Sequence, residues 1–152
     1  MTTERLTIIL AEDDDGHATL IRRNLERSRV RAEVVRARDG EEALTLVAGG
    51  HDAVRPGRRV LVLLDISMPR VDGLEVLRRM KCDEATRSIP VYMLTTTDNP
   101  IEIDRCFELG CNAYLSKPVA YEAFIAAIQR LCEFLEISHA PTLPERRQNV
   151  SA

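Results

Sequence analysis

The stretch VLVLLDISMPRVDG, residues 60–73, decides the fold. Val60, Leu61, Val62, Leu63 and Leu64 follow one another without a polar residue and run into Asp65. A strand with one wet face alternates apolar and polar side chains. An unbroken aliphatic run reads instead as a strand buried on both faces, as in a parallel sheet covered by helices. An acid at the carboxyl end of such a strand stands where open α/β sheets hold their ligands.

Outward from this strand the chain alternates. Upstream, RLTIILAE (5–12) predicts a first aliphatic strand, and DGHATLIRRNLERS (15–28) a helix with Ala18, Ile21 and Leu25 at helical spacing and Asp15 as its cap. RAEVVRA (31–37) predicts a second strand, and DGEEALTLVAG (39–49) a short helix ending at glycine. HDAVRPGRR (51–59) is a basic loop. Downstream, Gly73 opens a helix over LEVLRRMKC (74–82), with Leu74, Leu77 and Met80 on one face. IPVYMLTT (89–96) is a fourth strand, NPIEIDRCFELG (99–110) a helix punctuated by Asn-Pro and Gly, and NAYLSK (112–117) a fifth strand. VAYEAFIAAIQRLCEFLEI (119–137) is the last and longest helix. Strict alternation of strand and helix predicts an α/β fold with a doubly wound parallel five-stranded sheet, flavodoxin-like, in the order 2-1-3-4-5. Residues 1–137 form the domain. Residues 138–152, with two prolines and little apolar content, are expected to be a tail or arm.

Composition narrows the function. A net charge of −3 argues against a nucleic-acid polyanion as the main partner. No apolar run reaches the roughly 20 residues of a membrane helix, and the N-terminus lacks a secretory signal core, so the expected location is cytoplasmic. Cys82, Cys106, Cys111 and Cys132 form no Cys-x-x-Cys pair, and His17, His51 and His139 stand apart from them, so zinc spacing is absent and free thiols are expected.

In this fold the residues just past strands one, three, four and five converge on one rim. They are EDDD (12–15), Asp65, TTT (95–97) and SKP (116–118). Crowded carboxylates repel and raise one another's pKa. A hard divalent ion, Mg2+, relieves that with two carboxylates, a carbonyl and water. The set suits phosphoryl transfer, with Asp65 as nucleophile, Mg2+ and Lys117 neutralising charge on the transferred group, and the Thr95 hydroxyl bonding a phosphoryl oxygen. Each piece has an ordinary alternative: a helix cap, a turn aspartate, a strand end, a common Lys-Pro pair. Their joint occurrence at four matching rim positions outweighs these.

With IILAEDD (8–14), LLDISMPRVDGLEVL (63–77), IPVYMLTT (89–96) and GCNAYLSKPV (110–119), the chain resembles a response-regulator receiver domain of two-component signalling. The likeness covers residues 5 to about 137. It implies a signalling protein rather than an enzyme. By that resemblance Glu12 and Asp13 are the acidic pair, Asp13 binding the metal directly and Glu12 through water. Asp65 is the phosphoacceptor and a metal ligand, and the Ser67 backbone carbonyl is a third ligand. Thr95 is the switch hydroxyl, Tyr114 the switch aromatic and Lys117 the conserved-type lysine, with a cis Lys117–Pro118 bond. Ser67 and Thr97 occupy positions that govern access of hydrolytic water.

The segment from Lys81 to Val119 and the tail resemble the stand-alone regulators of phytochrome-type histidine kinases. This implies a sensor histidine kinase, such as a bacteriophytochrome, as phosphoryl donor. Action as a phosphate sink or relay intermediate is the alternative output. The last helix carries more apolar residues than a core-facing stripe needs, with Phe134, Leu135, Ile137 and Leu143 left over. A homodimer through helix four, strand five and helix five is expected, with the tail reaching the partner. Two other readings compete less well. A haloacid-dehalogenase-like phosphatase needs an acid where Ser67 stands, and an FMN-binding flavodoxin needs a phosphate loop where the acidic run stands.

Overall fold

A computed structural model describes residues 6–96, 98–137 and 143. Five strands alternate with five helices: β1 (Leu6–Ala11), α1 (Asp15–Arg27), β2 (Ala32–Ala37), α2 (Gly40–Val47), β3 (Arg59–Leu64), α3 (Gly73–Cys82), β4 (Val91–Thr95), α4 (Pro100–Glu108), β5 (Ala113–Ser116) and α5 (Tyr121–Ile137). The strands form one parallel sheet in the order β2-β1-β3-β4-β5, as expected.

The aliphatic run of β3 explains the layering. Successive side chains of a strand leave opposite faces. Val60, Val62 and Leu64 enter one core, with residues of α2 and α3, whereas Leu61 and Leu63 enter the other, with α1 and α5. All five are at most 1% exposed, so each contributes about 1.5–3 kcal/mol of burial. A polar residue at any of them would be stranded in one core or the other, which is why the run is unbroken.

Caps set where the helices begin. The Asp72 side chain accepts from the Glu75 N–H and starts α3; Asp39 does the same for α2 through Glu42, and Asn99, followed by Pro100, for α4. In α1 the cap is Asp14, which accepts from the His17 N–H, rather than Asp15. Asp15 is one residue inside the helix and pairs with Arg36 instead. Gly110, with φ +102°, turns the chain from α4 towards β5.

Two glycines are required by close approach. A Cβ on Gly73 would lie 2.1 Å from the Asp65 carbonyl oxygen, and one on Gly40 would lie 1.8 Å from the Val71 carbonyl oxygen. Both contacts hold the loop that follows β3 and carries Asp65. Gly73→Ala should therefore destabilise the protein by about 1–3 kcal/mol or more, measured by urea denaturation. An unchanged midpoint would show that the helix start can move away from Asp65.

Three further expectations are corrected. Leu135 is core, not surplus; it is 6% exposed in the α1/α5 layer. Leu143 packs on its own chain rather than on a partner: it lies against the α2/α3 core, its N–H donates to the Arg58 carbonyl, and its carbonyl accepts from the Gly57 N–H. An aliphatic side chain gains as much by covering its own core's edge as by crossing to a second copy. The Lys117–Pro118 bond is not cis, since no peptide bond among the described residues is; for an X–Pro bond trans is the lower isomer by about 0.5–1 kcal/mol. Arg5, Thr97, the Ile137 side chain and the tail apart from Leu143 lie outside what is described.

Candidate functional site

The sheet itself delivers the rim residues. Its hydrogen-bond ladder continues one position past three strands. The Glu12 N–H donates to the Ala37 carbonyl, the Asp65 N–H to the Ala11 carbonyl and the Lys117 N–H to the Thr95 carbonyl. Each charged residue is thus held by its backbone as a strand residue is, at the end of the sheet rather than within it. Glu12, Asp65, Thr95 and Lys117 are all buried, Thr95 completely.

The Lys117 ammonium sits between two carboxylates. It donates to Glu12 Oε2 and, at 3.0 Å, to Asp65 Oδ2. The other Asp65 oxygen, Oδ1, accepts the Ser67 N–H at 3.2 Å. Asp13 is exposed and completes the group. Glu12, Asp13 and Asp65 each offer one carboxylate oxygen, all within 4.8 Å of one another. Burial pushes the Glu12 carboxyl up, to about 7, against the pull of the Lys117 ammonium and with a further push from Asp65. One lysine does not balance three carboxylates in so small a space. Hard oxygen donors in excess of local positive charge are what Mg2+ or a similar divalent ion requires, so the residues present fit such an ion.

Thr95 leaves β4 on the same face as Met93, its neighbour two residues back. The Thr95 Oγ1 atom is buried and has no hydrogen-bond partner among the described residues. An unsatisfied buried hydroxyl costs about 1–3 kcal/mol, so this atom has hydrogen-bonding capacity to spare beside the cluster. Tyr114 stands opposite Met93 in register on β5, on the same face and half-buried against the α2/α3 core. The sequence-predicted residues Glu12, Asp13, Asp65 and Lys117 are therefore in one cluster. Ser67 joins it through its backbone, and Thr95 and Tyr114 line the adjoining face.

Burial also raises the Tyr114 hydroxyl, to about 12, helped by nearby Cys106 and acids, and raises the Cys106 thiol from 9.0 to about 11. Both folded-state values lie above the unfolded ones, so the folded protein holds these protons more tightly. The stability they contribute is full below pH 9 and is lost as pH rises through about 11 to 12. Urea midpoints should fall steadily across that window, and Cys106→Ala should flatten the early part of the fall. A midpoint constant to pH 12 would contradict the assignment.

Sequence reasoning missed two residues. His17 Nδ1 lies 3.3 Å from Lys117 Nζ and 3.7 Å from Glu12 Oε1, and its ring packs on Phe124 at 5.0 Å. The available signal was position: the first turn of a helix that starts at the rim looks back over it. Arg36, at the end of edge strand β2, donates to the Glu12 carbonyl. A lone arginine in a strand gives no signal in sequence.

Comparison with known proteins shows the family and agrees with the fold. The family described as the response regulator receiver domain matches residues 8–129. A response regulator receiver domain from Rhodospirillum rubrum is 42% identical, with TM-score 0.83, covering 91% of this chain and 99% of its own. The Mn2+-bound form of response regulator Rcp1 is 31% identical, with TM-score 0.81, over 90% and 99% of the two chains. The phosphorylated cyanobacterial phytochrome response regulator RcpA is 32% identical, with TM-score 0.82, over 91% and 99%.

Proposed function

Because this chain belongs to the response regulator receiver family of two-component signalling, we propose that it accepts a phosphoryl group on Asp65 from a sensor histidine kinase. The observation that carries the reading is the cluster itself: carboxylate oxygens of Glu12, Asp13 and Asp65 within 4.8 Å of one another, with the Lys117 ammonium bonded to Glu12 and Asp65. Glu12, Asp13 and Asp65, with the Ser67 backbone, would hold Mg2+. When bound, the ion supplies charge neutralisation for the transferred group.

The chain's own residues do the rest. An Asp65 carboxylate oxygen attacks phosphorus, forming the P–O bond as the P–N bond to the donor imidazole breaks; the imidazole keeps the electron pair and takes a proton from solvent. Lys117 stays within reach of the added charge, roughly −1.5 to −2 units at neutral pH. The unpaired Thr95 hydroxyl turns to donate to a phosphoryl oxygen. That movement frees space beside Tyr114, and the ring follows it inward. A local charge event thereby biases a two-state surface on α4, β5 and α5.

That surface suits a second copy of the chain. Ile101 and Phe107 on α4, Val119 just before α5, and Tyr121 and Phe134 on it are exposed. Phe134 packs edge-on against Tyr92 at 5.8 Å beside a groove between β5 and α5. Homodimerisation through this face, without Leu143, fits these exposed groups. A phytochrome-type kinase as donor is supported by the likeness to RcpA. No helix among the described residues is long and apolar enough to cross a membrane.

Incubation with acetyl phosphate and Mg2+ tests acceptance. Intact mass should rise by one phosphate, reversed on chelation followed by hydrolysis. No mass gain with any phosphodonor, small molecule or kinase, would defeat the proposal.

A further inference from the structure

Arg36 has no part in the chemistry just described, yet it binds the loop that carries the acids. Its Nε and Nη2 both donate to the Glu12 carbonyl oxygen, at 3.1 and 3.0 Å, and its Nη1 reaches Asp15 Oδ1 at 2.5 Å. The Glu12 N–H is held from the same strand, by the Ala37 carbonyl. Consecutive residues of β2 therefore grip Glu12 on both sides. Asp14 is fixed separately, by its capping bond to the His17 N–H and by its own N–H to Glu12 Oε1. Asp13 lies between the two Arg36 anchors, Glu12 and Asp15, so its place in the carboxylate cluster is set by them.

The charge of Arg36 makes this arrangement informative. A guanidinium near a cation site repels the cation and by itself weakens binding. Its benefit must be geometric. Only arginine offers a planar fork that can bond a carbonyl twice and a carboxylate once. We propose that Arg36 is a positioning residue for the divalent cation, clamping the acidic loop so that Asp13 meets Glu12 and Asp65. The inference rests on the cation-binding reading above. Groups that orient metal ligands typically change affinity 10–100-fold when lost.

The test compares Mn2+ affinity, read from the paramagnetic resonance signal of the free ion, for the full chain, Arg36→Met and Arg36→Lys. Methionine keeps the apolar stem, lysine keeps the charge, and neither keeps the fork; thermal melting checks that each is folded. Both variants should bind Mn2+ about ten-fold more weakly, and phosphorylation from acetyl phosphate should return to the wild-type extent at saturating Mg2+. That split separates loop positioning from general damage. If Arg36→Met binds as tightly as wild type or tighter, or if lysine restores full affinity, the guanidinium fork does not position the acidic loop for the cation and the inference is overturned. Should one variant fail to fold, the other decides. A wild-type chain that binds no Mn2+ overturns the cation reading and this inference together, whereas a binding wild type with unaltered variants overturns this inference alone.

Discussion

Asp65→Asn should take no phosphoryl group from a kinase or from acetyl phosphate, a loss of at least about a hundred-fold and limited only by detection, because the attacking atom is gone. The fold should survive. An Asn side-chain oxygen can still accept the Ser67 N–H that now bonds Asp65 Oδ1. The substitution also removes one of the buried charges that push the Glu12 carboxyl up. Stability in urea should therefore change by less than about 1 kcal/mol, the range of a substitution that strands no buried group. Label appearing on the variant at the wild-type rate would move the acceptor to another carboxylate, with Asp13 the first to examine.

Lys117→Ala should be the more damaging change to the molecule as a whole. The lysine is 4% exposed and is shared by two buried carboxylates. Removing it leaves Glu12 and Asp65 facing each other without a counter-charge. Deleting one partner of a buried pair costs about 3–5 kcal/mol. The cost has an escape route, because Glu12 can take a proton, its carboxyl already lying at about 7. The loss should accordingly be smaller at acid pH and larger above about 7. Mg2+ should restore more stability to this variant than it adds to the wild type. Phosphorylation should still fall about 100- to 1,000-fold at saturating Mg2+, the scale of losing one preorganised charge at a transferring group. A variant as stable as wild type in the absence of divalent ions would mean that the lysine does not balance these acids.

The competing readings now have structural content. A phosphatase of the haloacid-dehalogenase type would need a general acid two residues past the nucleophile. Ser67 stands there, and its backbone N–H already engages Asp65. A flavodoxin-type nucleotide site would need N–H groups open to a phosphate after β1. Here that loop presents Glu12 and Asp13 to the rim.

Much of the architecture was legible in sequence because one physical rule governs it. A run such as Val60–Leu64 has no stable place except between two helical layers, and the spacing of Ala18, Ile21 and Leu25 permits only a one-faced helix. The rim acids followed, since each stands directly after a readable strand. What escaped depended on distances between segments far apart in sequence. Gly40 looked like part of a turn, and its close approach to the Val71 carbonyl appears only when α2 is docked. Asp14 and Asp15 are indistinguishable as caps by residue type, and the Arg36 ion pair decides between them. Leu135 and Leu143 looked surplus because composition counts apolar residues without saying which way they face. Arg36 and His17 act through groups supplied by other elements, for which no local pattern exists.

The central claim is that phosphorus becomes bonded to the carboxylate at position 65. Borohydride reduction of the phosphorylated protein, followed by peptide mass mapping, tests it most directly, because reduction turns an aspartyl phosphate into homoserine and records the attachment point. The reduced product is expected in the peptide containing Asp65, dependent on a divalent cation. Reduction product at any other carboxylate, or at position 65 equally with the cation chelated throughout, would contradict the account.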